Sequence, residues 1–280
     1  MNRVDAHHHV WDLSVRPQEW LDGEALAPIR RSFGVADLEP AARAAGVTAT
    51  VLVQTVPLPD ETPELLAIAA KGGLVKAVTG WVDLTAPSVA DDLAALCGGP
   101  HGGYLKAVRH LVQDEPDPDW LRRPDVARGL RAAAGAGLRY ELLVYPHQLP
   151  AAVAAATALP DAPFVLDHCA KPRIAEGGWE PWASGVRALA RRENVTCKLS
   201  GLVTEADWTQ WTVDGLRRYV DLVLEAFGPH RLMFGSDWPV CLLATTYDRW
   251  VSTVDDLIAG LSAGERAAVE GGTARRLYDI

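Results

Sequence analysis

Eight short β-rich segments recur along the chain, and alanine- and leucine-rich segments with helical spacing separate most of them. The predicted strands cover residues 3–9, 48–56, 75–83, 104–112, 138–145, 163–168, 195–201 and 231–237. Helical spacing is clearest in residues 35–45, 87–96, 125–136, 180–192 and 216–227. Regular alternation of strands and helices is typical of parallel strands joined by crossover helices.

Eight such units in one chain predict an α/β fold, a single-domain (β/α)8 TIM barrel that spans residues 1–280. A doubly wound open sheet is the alternative. No GxGxxG or Walker loop follows an early strand, however, so nothing in the sequence favours a nucleotide-binding sheet.

The loops that leave the predicted strands are often long, whereas those that lead into the next strand are short. "QDEPDPDWLRRPD" and "AKPRIAEGGWEPW" leave strands, while "AAGV" and "GAGL" enter them. Loops after the strands build the functional face of a barrel, and long loops in a compact domain are usually functional. Nine of the ten tryptophans fall in these loops or at strand ends, Trp81 among them. They either form aromatic pocket walls or pack loops onto the barrel.

Composition narrows the possible partners. Hydrophobic residues make up 49% of the chain, as is usual for a globular protein. The net charge is −9, so nucleic-acid binding has no electrostatic support. No apolar stretch reaches the roughly 18 residues of a membrane span, and the N-terminus lacks the apolar run of a signal peptide. The four scattered cysteines favour reduced thiols in a cytoplasmic, soluble protein. No pattern indicates an oligomeric state.

The first candidate functional residues lie in the first predicted strand, within the sequence "VDAHHHVW". Alternate residues of a strand share a face, so Asp5, His7 and His9 are expected to point one way and His8 the other. Two histidines two residues apart can hold a metal ion or a substrate oxygen. His8 is expected to be structural.

Polar residues also stand at the ends of the other predicted strands. Each one alone is compatible with a structural role, but together they mark one end of one barrel. This set comprises Gln54, Arg109, His110, Tyr145, His168, Lys171, Lys198, Ser200 and Asp237.

The motifs "DAHHHVW", "VRHLVQDEPDPDWL", "FVLDHCAKP", "CKLSGLVTEADW" and "RLMFGSDWPV" resemble the amidohydrolase superfamily. More narrowly, they resemble its lactonases that act on sugar acids, of the L-fuconolactonase and L-rhamnonolactonase type. The resemblance runs from Asp5 to Trp250. It implies a hydrolase whose small-molecule substrate is a sugar-acid lactone.

By the same resemblance, His7, His9 and His168 bind a divalent metal or polarise the substrate carbonyl directly, and Asp237 takes the proton of the attacking water. The chain departs from the two-metal pattern because "VRH" stands at strand four and Tyr145 ends strand five. One zinc on His7, His9, His168 and Asp237 is favoured, with metal-free catalysis left open.

Substrate binding is assigned first to Arg109, whose planar fork favours bidentate contact with substrate oxygens, although a buried ion pair is the alternative. The secondary candidates are Gln54, Trp81, His110, Tyr145 and Lys171. Two other functions stay open. One is a zinc-dependent decarboxylase of a small unsaturated or aromatic acid, and the other is a sugar-acid-binding barrel without catalysis.

Overall fold

A computed structural model of the chain describes residues 2–280 and contains one parallel sheet of eight strands in sequential order. The strands are β1 (Arg3–His8), β2 (Val47–Val53), β3 (Val75–Gly80), β4 (Leu105–His110), β5 (Arg139–Leu142), β6 (Phe164–Leu166), β7 (Val195–Leu199) and β8 (Leu232–Phe234). A parallel bridge between His8 and Trp238 brings the last strand's exit back to the first. The predicted (β/α)8 barrel is confirmed; its extent over residues 1–280 as one domain stays a prediction.

Helices surround the sheet, and five of them overlap the ranges predicted from the sequence. They are α1 (Val35–Ala44), α2 (Glu61–Ala70), α3 (Val89–Gly98), α4 (Pro124–Gly135), α5 (Leu149–Ala158), α6 (Trp182–Ala190), α7 (Val213–Phe227), α8 (Tyr247–Leu257), α9 (Ala263–Ala267) and α10 (Thr273–Tyr278). Within residues 2–280, no helix combines the length and the apolar character needed to cross a bilayer.

The barrel interior is filled by small apolar side chains near its amino-terminal end. Val4 and Ala6 of β1 pack there with residues such as Val51 of β2 and Met233 of β8. Tyr278 of α10 joins the same cluster and is fully buried, so the C-terminal helix closes this end.

Strands β6 and β8 end earlier than predicted, at Leu166 and Phe234. The reason is backbone conformation, because His168 and Asp237 have left-handed φ values of 50° and 57°. A strand cannot continue through such residues. Both side chains therefore sit just beyond the sheet, at the mouth of the barrel.

The prediction that Asp5 shares a face with His7 is wrong. The register of β1 against β2 shifts between Asp5 and His8, and this irregularity breaks the simple alternation. The Asp5 carboxylate accepts hydrogen bonds from the backbone N–H of Ser236 (2.8 Å) and His7 (3.2 Å) and from the hydroxyl of Tyr247 (3.0 Å). It thus joins β1 to the segment after β8 instead of facing the mouth.

Replacing the Asp5 carboxylate should weaken the contact between β1 and the segment after β8. Asp5→Ala would leave three buried donors unpaired, so we expect a loss of about 3 kcal/mol in the free energy of unfolding, measured by urea denaturation. Asp5→Asn keeps an acceptor oxygen for both backbone groups and should lose less than half as much. Equal losses in the two variants would refute the hydrogen-bonding role.

Gly201, two residues after β7, makes room for the His168 ring. A Cβ at Gly201 would lie 2.6 Å from Nδ1 of His168, and the φ of 66° already disfavours any other residue. The ring also contacts Ser200, whose Oγ lies 2.9 Å from the same Nδ1. Residues 200–201 therefore fix the position of His168.

Gly201→Ala should combine backbone strain with displacement of the His168 ring. Gly177→Ala is the matched control, because Gly177 has the same φ of 66° and a Cβ added there would meet no heavy atom within 4 Å beyond its chain neighbours. We expect a loss of about 1 kcal/mol for the control and about 1–3 kcal/mol more for Gly201→Ala. The imidazole NMR signals of His168 should shift in Gly201→Ala only, and equal behaviour would contradict the steric argument.

Candidate active site

A cavity of about 290 Å³ opens at the carboxyl ends of the strands. Its polar groups include His9, Arg109, His168, Lys171 and Asp237. The apolar part of its wall comprises Trp20, Leu111, Leu143 and Val240. A small cavity with a few converging polar groups and an apolar wall is typical of a site for a small molecule.

The structure brings His7, His9, His168 and Asp237 together at the inner edge of this cavity. Nε2 of His7 lies 3.1 Å from Nε2 of His9. Asp237 Oδ1 lies 3.5 Å from Nε2 of His9, 3.8 Å from Nε2 of His7 and 3.9 Å from Nε2 of His168. All four side chains are buried. Four nitrogen and oxygen atoms therefore converge on one point.

Burial and neighbouring charges set the protonation of this group. Burial, reinforced by the charge of Lys198, holds the pKa of His7 well below its usual range. Burial likewise lowers the pKa of His168 to about 4, although Asp237 opposes the shift. Burial alone would raise the pKa of Asp237, but His168 and His9 bring it below its ordinary value. At neutral pH the ionised Asp237 carboxylate thus faces the neutral imidazoles of His7 and His168.

One ring nitrogen of His9 and one of His8 have hydrogen-bond partners on β2. Nδ1 of His9 donates to the carbonyl oxygen of Val53 at 2.8 Å, so Nε2 of His9 is left as an acceptor. His8 lies within 2.9 Å of Thr50 Oγ1 through its Nε2, which matches the structural role expected for it.

Beneath His7 lies a layer of buried charges, and its two carboxylates, Glu141 and Asp167, were not predicted from the sequence. Lys198 pairs with Glu141 (2.5 Å) and with Asp167 (3.1 Å), and Arg109 pairs with Asp167 (3.0 Å). Burial would raise the pKa of Asp167, but Lys198, His7 and Arg109 hold it well below its usual range. Charged residues inside the apolar runs "YELLV" and "FVLDH" were the available signal.

The predicted binding residue Arg109 reaches the cavity, and two of its guanidinium nitrogens already donate to protein acceptors. Besides Asp167, its guanidinium donates to the carbonyl oxygen of Gln54 at 2.7 Å. Gln54 in turn donates from Nε2 to the carbonyl oxygen of Arg109 at 3.3 Å. Arg109 and Gln54 therefore bind each other across β2 and β4.

The other predicted binding residues lie around the cavity. Trp81 donates to Nδ1 of His110 at 3.0 Å, and neither residue is part of the cavity wall. His110 also stacks on Trp120, with ring centroids 4.4 Å apart. Tyr145 lines a neighbouring cleft that shares Lys171 with the cavity. The Nζ of Lys171 lies 5.3 Å from the Tyr145 ring centroid.

The converging donor atoms fit one zinc ion. Zinc binds nitrogen and oxygen at about 2.0–2.2 Å in a tetrahedron, so neighbouring ligand atoms lie roughly 3.3–3.6 Å apart. The His7–His9 distance of 3.1 Å and the distances of 3.5–3.9 Å from Asp237 Oδ1 to the three histidines bracket that value. Asp167 Oδ1 is buried and lies 3.5 Å from Nδ1 of His7 and 3.1 Å from Nζ of Lys198. A carboxylate in this position would orient His7 as a metal ligand.

Comparison with known proteins agrees with the motifs and the fold. The amidohydrolase family profile matches residues 4–280. An L-fucono-1,5-lactonase from Burkholderia multivorans is 40% identical over 99% of this chain and 96% of its own length. An L-fucono-1,5-lactonase from Burkholderia ambifaria is 39% identical over the same shares. The crystal structure of an amidohydrolase from Burkholderia multivorans with bound zinc superposes with a TM-score of 0.94 at 38% identity, covering 100% of both chains. As its motifs predicted, the chain belongs to the amidohydrolase family.

Proposed function

We propose that this chain hydrolyses a sugar-acid lactone of the L-fucono-1,5-lactone type to the free acid. The observation that carries the proposal is the ionised Asp237 carboxylate, which lies 3.5–3.9 Å from three histidines at the edge of a small cavity. Two curated relatives that match nearly the full chain act on this lactone, as their names state.

Asp237 is the general base in this proposal. Its lowered pKa keeps it ionised at neutral pH, so it can take a proton from water as the water attacks the lactone carbonyl carbon. The carbon–oxygen bond to the ring oxygen then breaks. Asp237 returns the proton to that leaving oxygen, which becomes a hydroxyl of the product.

Two of the histidines are placed to stabilise the negative charge that grows on the carbonyl oxygen. His7 and His168 present Nε2 atoms on the same side as Asp237, where a carbonyl oxygen can approach them. His9, whose Nε2 is an acceptor, acts here as a metal ligand. When bound, zinc would be held by these three histidines and Asp237 and would supply Lewis-acid polarisation of the carbonyl.

The remaining candidates have separate proposed roles. Arg109 and Lys171 border the substrate cavity, where spare N–H donors can meet ring hydroxyls. Gln54 holds Arg109 in place. Tyr145 positions Lys171 from the neighbouring cleft. Trp81, directly after β3, and His110, at the end of β4, support each other through their hydrogen bond.

A cytoplasmic location and the absence of nucleic-acid or membrane partners stay predictions. None of these affects the proposed chemistry.

Acid release measured with a pH indicator tests the reaction directly, because opening a lactone produces an acid. The panel should contain L-fucono-, L-rhamnono- and other aldonolactones, each assayed with zinc and after treatment with a chelator. We expect fast acidification with L-fucono-1,5-lactone. No acidification across the panel under either condition would refute the proposal, and release of CO₂ from a small unsaturated or aromatic acid would replace it with decarboxylation.

Asp237→Asn should reduce kcat by about 10²–10⁴-fold while KM changes little, because the amide cannot take the proton. Asp114→Asn is the matched control, since Asp114 lines the same cavity and loses the same charge. The control should keep most of its activity. Near-normal turnover in Asp237→Asn would remove this residue from the role of base.

A further inference from the structure

Trp20 contributes the largest apolar side chain to the wall of the active-site cavity. It lies in the long loop between β1 and α1, and 37% of its surface is exposed. Val15 and Leu58 are also large apolar residues with exposed side chains, but neither lines this cavity. The indole of Trp20 therefore offers apolar surface to a ligand in the same cavity as Asp237 and His168.

The indole N–H of Trp20 is already engaged within the protein. Its Nε1 donates to Oε1 of Gln18 at 2.7 Å, and Gln18 is buried. An indole nitrogen carries one hydrogen and is a donor only, so this group has no further capacity for hydrogen bonding. Trp20 can therefore contact a ligand only through its apolar ring, whose electron-rich face attracts partly positive C–H groups.

A series of edge-to-face aromatic contacts holds this indole in place. The ring centroid of Trp20 lies 5.3 Å from that of Trp11, which lies 5.5 Å from that of Phe33. Phe33 in turn lies 5.2 Å from Trp238, the residue that follows Asp237. Trp11 and Phe33 also exchange backbone hydrogen bonds of 3.0 and 2.9 Å, which close the base of the loop. The indole is thus fixed relative to the proposed general base.

A sugar-acid lactone has hydroxyl groups around its ring and C–H groups on its faces. In L-fucono-1,5-lactone, whose ring has the galacto configuration, the hydrogens on C3, C4 and C5 lie on one face, because the C4 hydroxyl points to the other. In its C4 epimer, 6-deoxy-L-glucono-1,5-lactone, the C4 hydrogen lies on the opposite face from the other two. Of these two rings, only the galacto ring has a continuous apolar face that can cover an indole.

We propose that Trp20 determines the specificity of the site by stacking on the face that carries the C3, C4 and C5 hydrogens of a galacto-configured lactone. The polar groups of the cavity, Arg109 and Lys171 among them, are left to bind the hydroxyls. A C4 hydroxyl on the stacked face would interrupt the contact and lose its hydration against the apolar ring. The inference rests on the proposed function and narrows it, because it selects the configuration at C4.

The test compares kcat/KM for L-fucono-1,5-lactone and for its C4 epimer in the native, Trp20→Phe and Trp20→Leu chains. The native chain should prefer the first lactone by about tenfold, the size expected of one aromatic stacking contact. Trp20→Phe keeps an aromatic face and should retain a preference of roughly threefold. Trp20→Leu keeps only an apolar side chain, so its preference should fall below about twofold, through a higher KM for L-fucono-1,5-lactone.

Trp208→Leu is the matched control. Trp208 lies in the loop after β7, is partly exposed and donates from Nε1 to the carbonyl oxygen of Thr204 at 2.9 Å, but it does not line the cavity. Its replacement should leave the native preference unchanged. An equal fall in activity toward both lactones in Trp20→Leu, or an unchanged preference, would overturn the specificity role. A native chain that opens both lactones equally well would overturn it too.

Binding without reaction separates this role from the proposed function. The cyclic ethers 1,5-anhydro-L-fucitol and its C4 epimer keep the ring but have no carbonyl group, so they cannot be hydrolysed. In calorimetric titrations the native chain should bind the first ether about tenfold more tightly, and Trp20→Leu should not distinguish the two. A native chain that binds neither ether, or both equally, would overturn the role of Trp20. If the native chain opens no lactone but keeps this preference, the proposed function fails and the stacking role stands.

Discussion

The candidate site at the mouth of the barrel depends on the buried ion pairs that Lys198 and Arg109 form with Asp167. An unpaired charge in this position would cost several kcal/mol, because removing one partner of a buried pair leaves the other without compensation. Here each charge has an opposite charge within 3.1 Å, so the layer can sit between an apolar interior and a polar mouth. Lys198 of this layer also contacts His7, with Nζ 3.2 Å from Nδ1.

The backbone conformation of two residues also determines where the side chains of the site lie. His168 and Asp237 both follow short strands and both adopt left-handed conformations, which cost free energy outside glycine. Dense contacts compensate for that strain. The backbone N–H of Asp237 donates to the carbonyl of His7 at 2.8 Å, so Asp237 is tied to the strand that carries the first histidines. Strand β1 therefore sets the position of both these histidines and Asp237.

The barrel could be predicted from the sequence because strand–helix alternation is a repeated signal that tolerates errors at element ends. The grouping of His7, His168 and Asp237 was also predictable, since parallel strands bring their carboxyl ends to one face. Asp5 was misplaced because alternation assumes a regular strand, and the register shift in β1 leaves no mark in the sequence.

Which side chains pair with each other could not be predicted from the sequence, for a different reason. Periodicity gives the direction of a side chain but not its partner, so Asp167 and Glu141 could not be recognised as counter-ions of Lys198. Trp81 and His110 illustrate the same limit. Both stand at strand ends as expected, but they hydrogen-bond to each other instead of lining the cavity.

Charge compensation also bears on the kind of substrate the cavity accepts. Arg109 is paired with Asp167, and Lys171 lies 3.5 Å from Glu205, so both cations at the cavity already have a carboxylate partner. The carboxylate of Asp237 adds a negative charge. An acid would meet repulsion without a free cation, whereas an uncharged lactone would not. The acid formed by ring opening would be repelled in turn, which favours its release and the hydrolytic direction over decarboxylation of a bound acid.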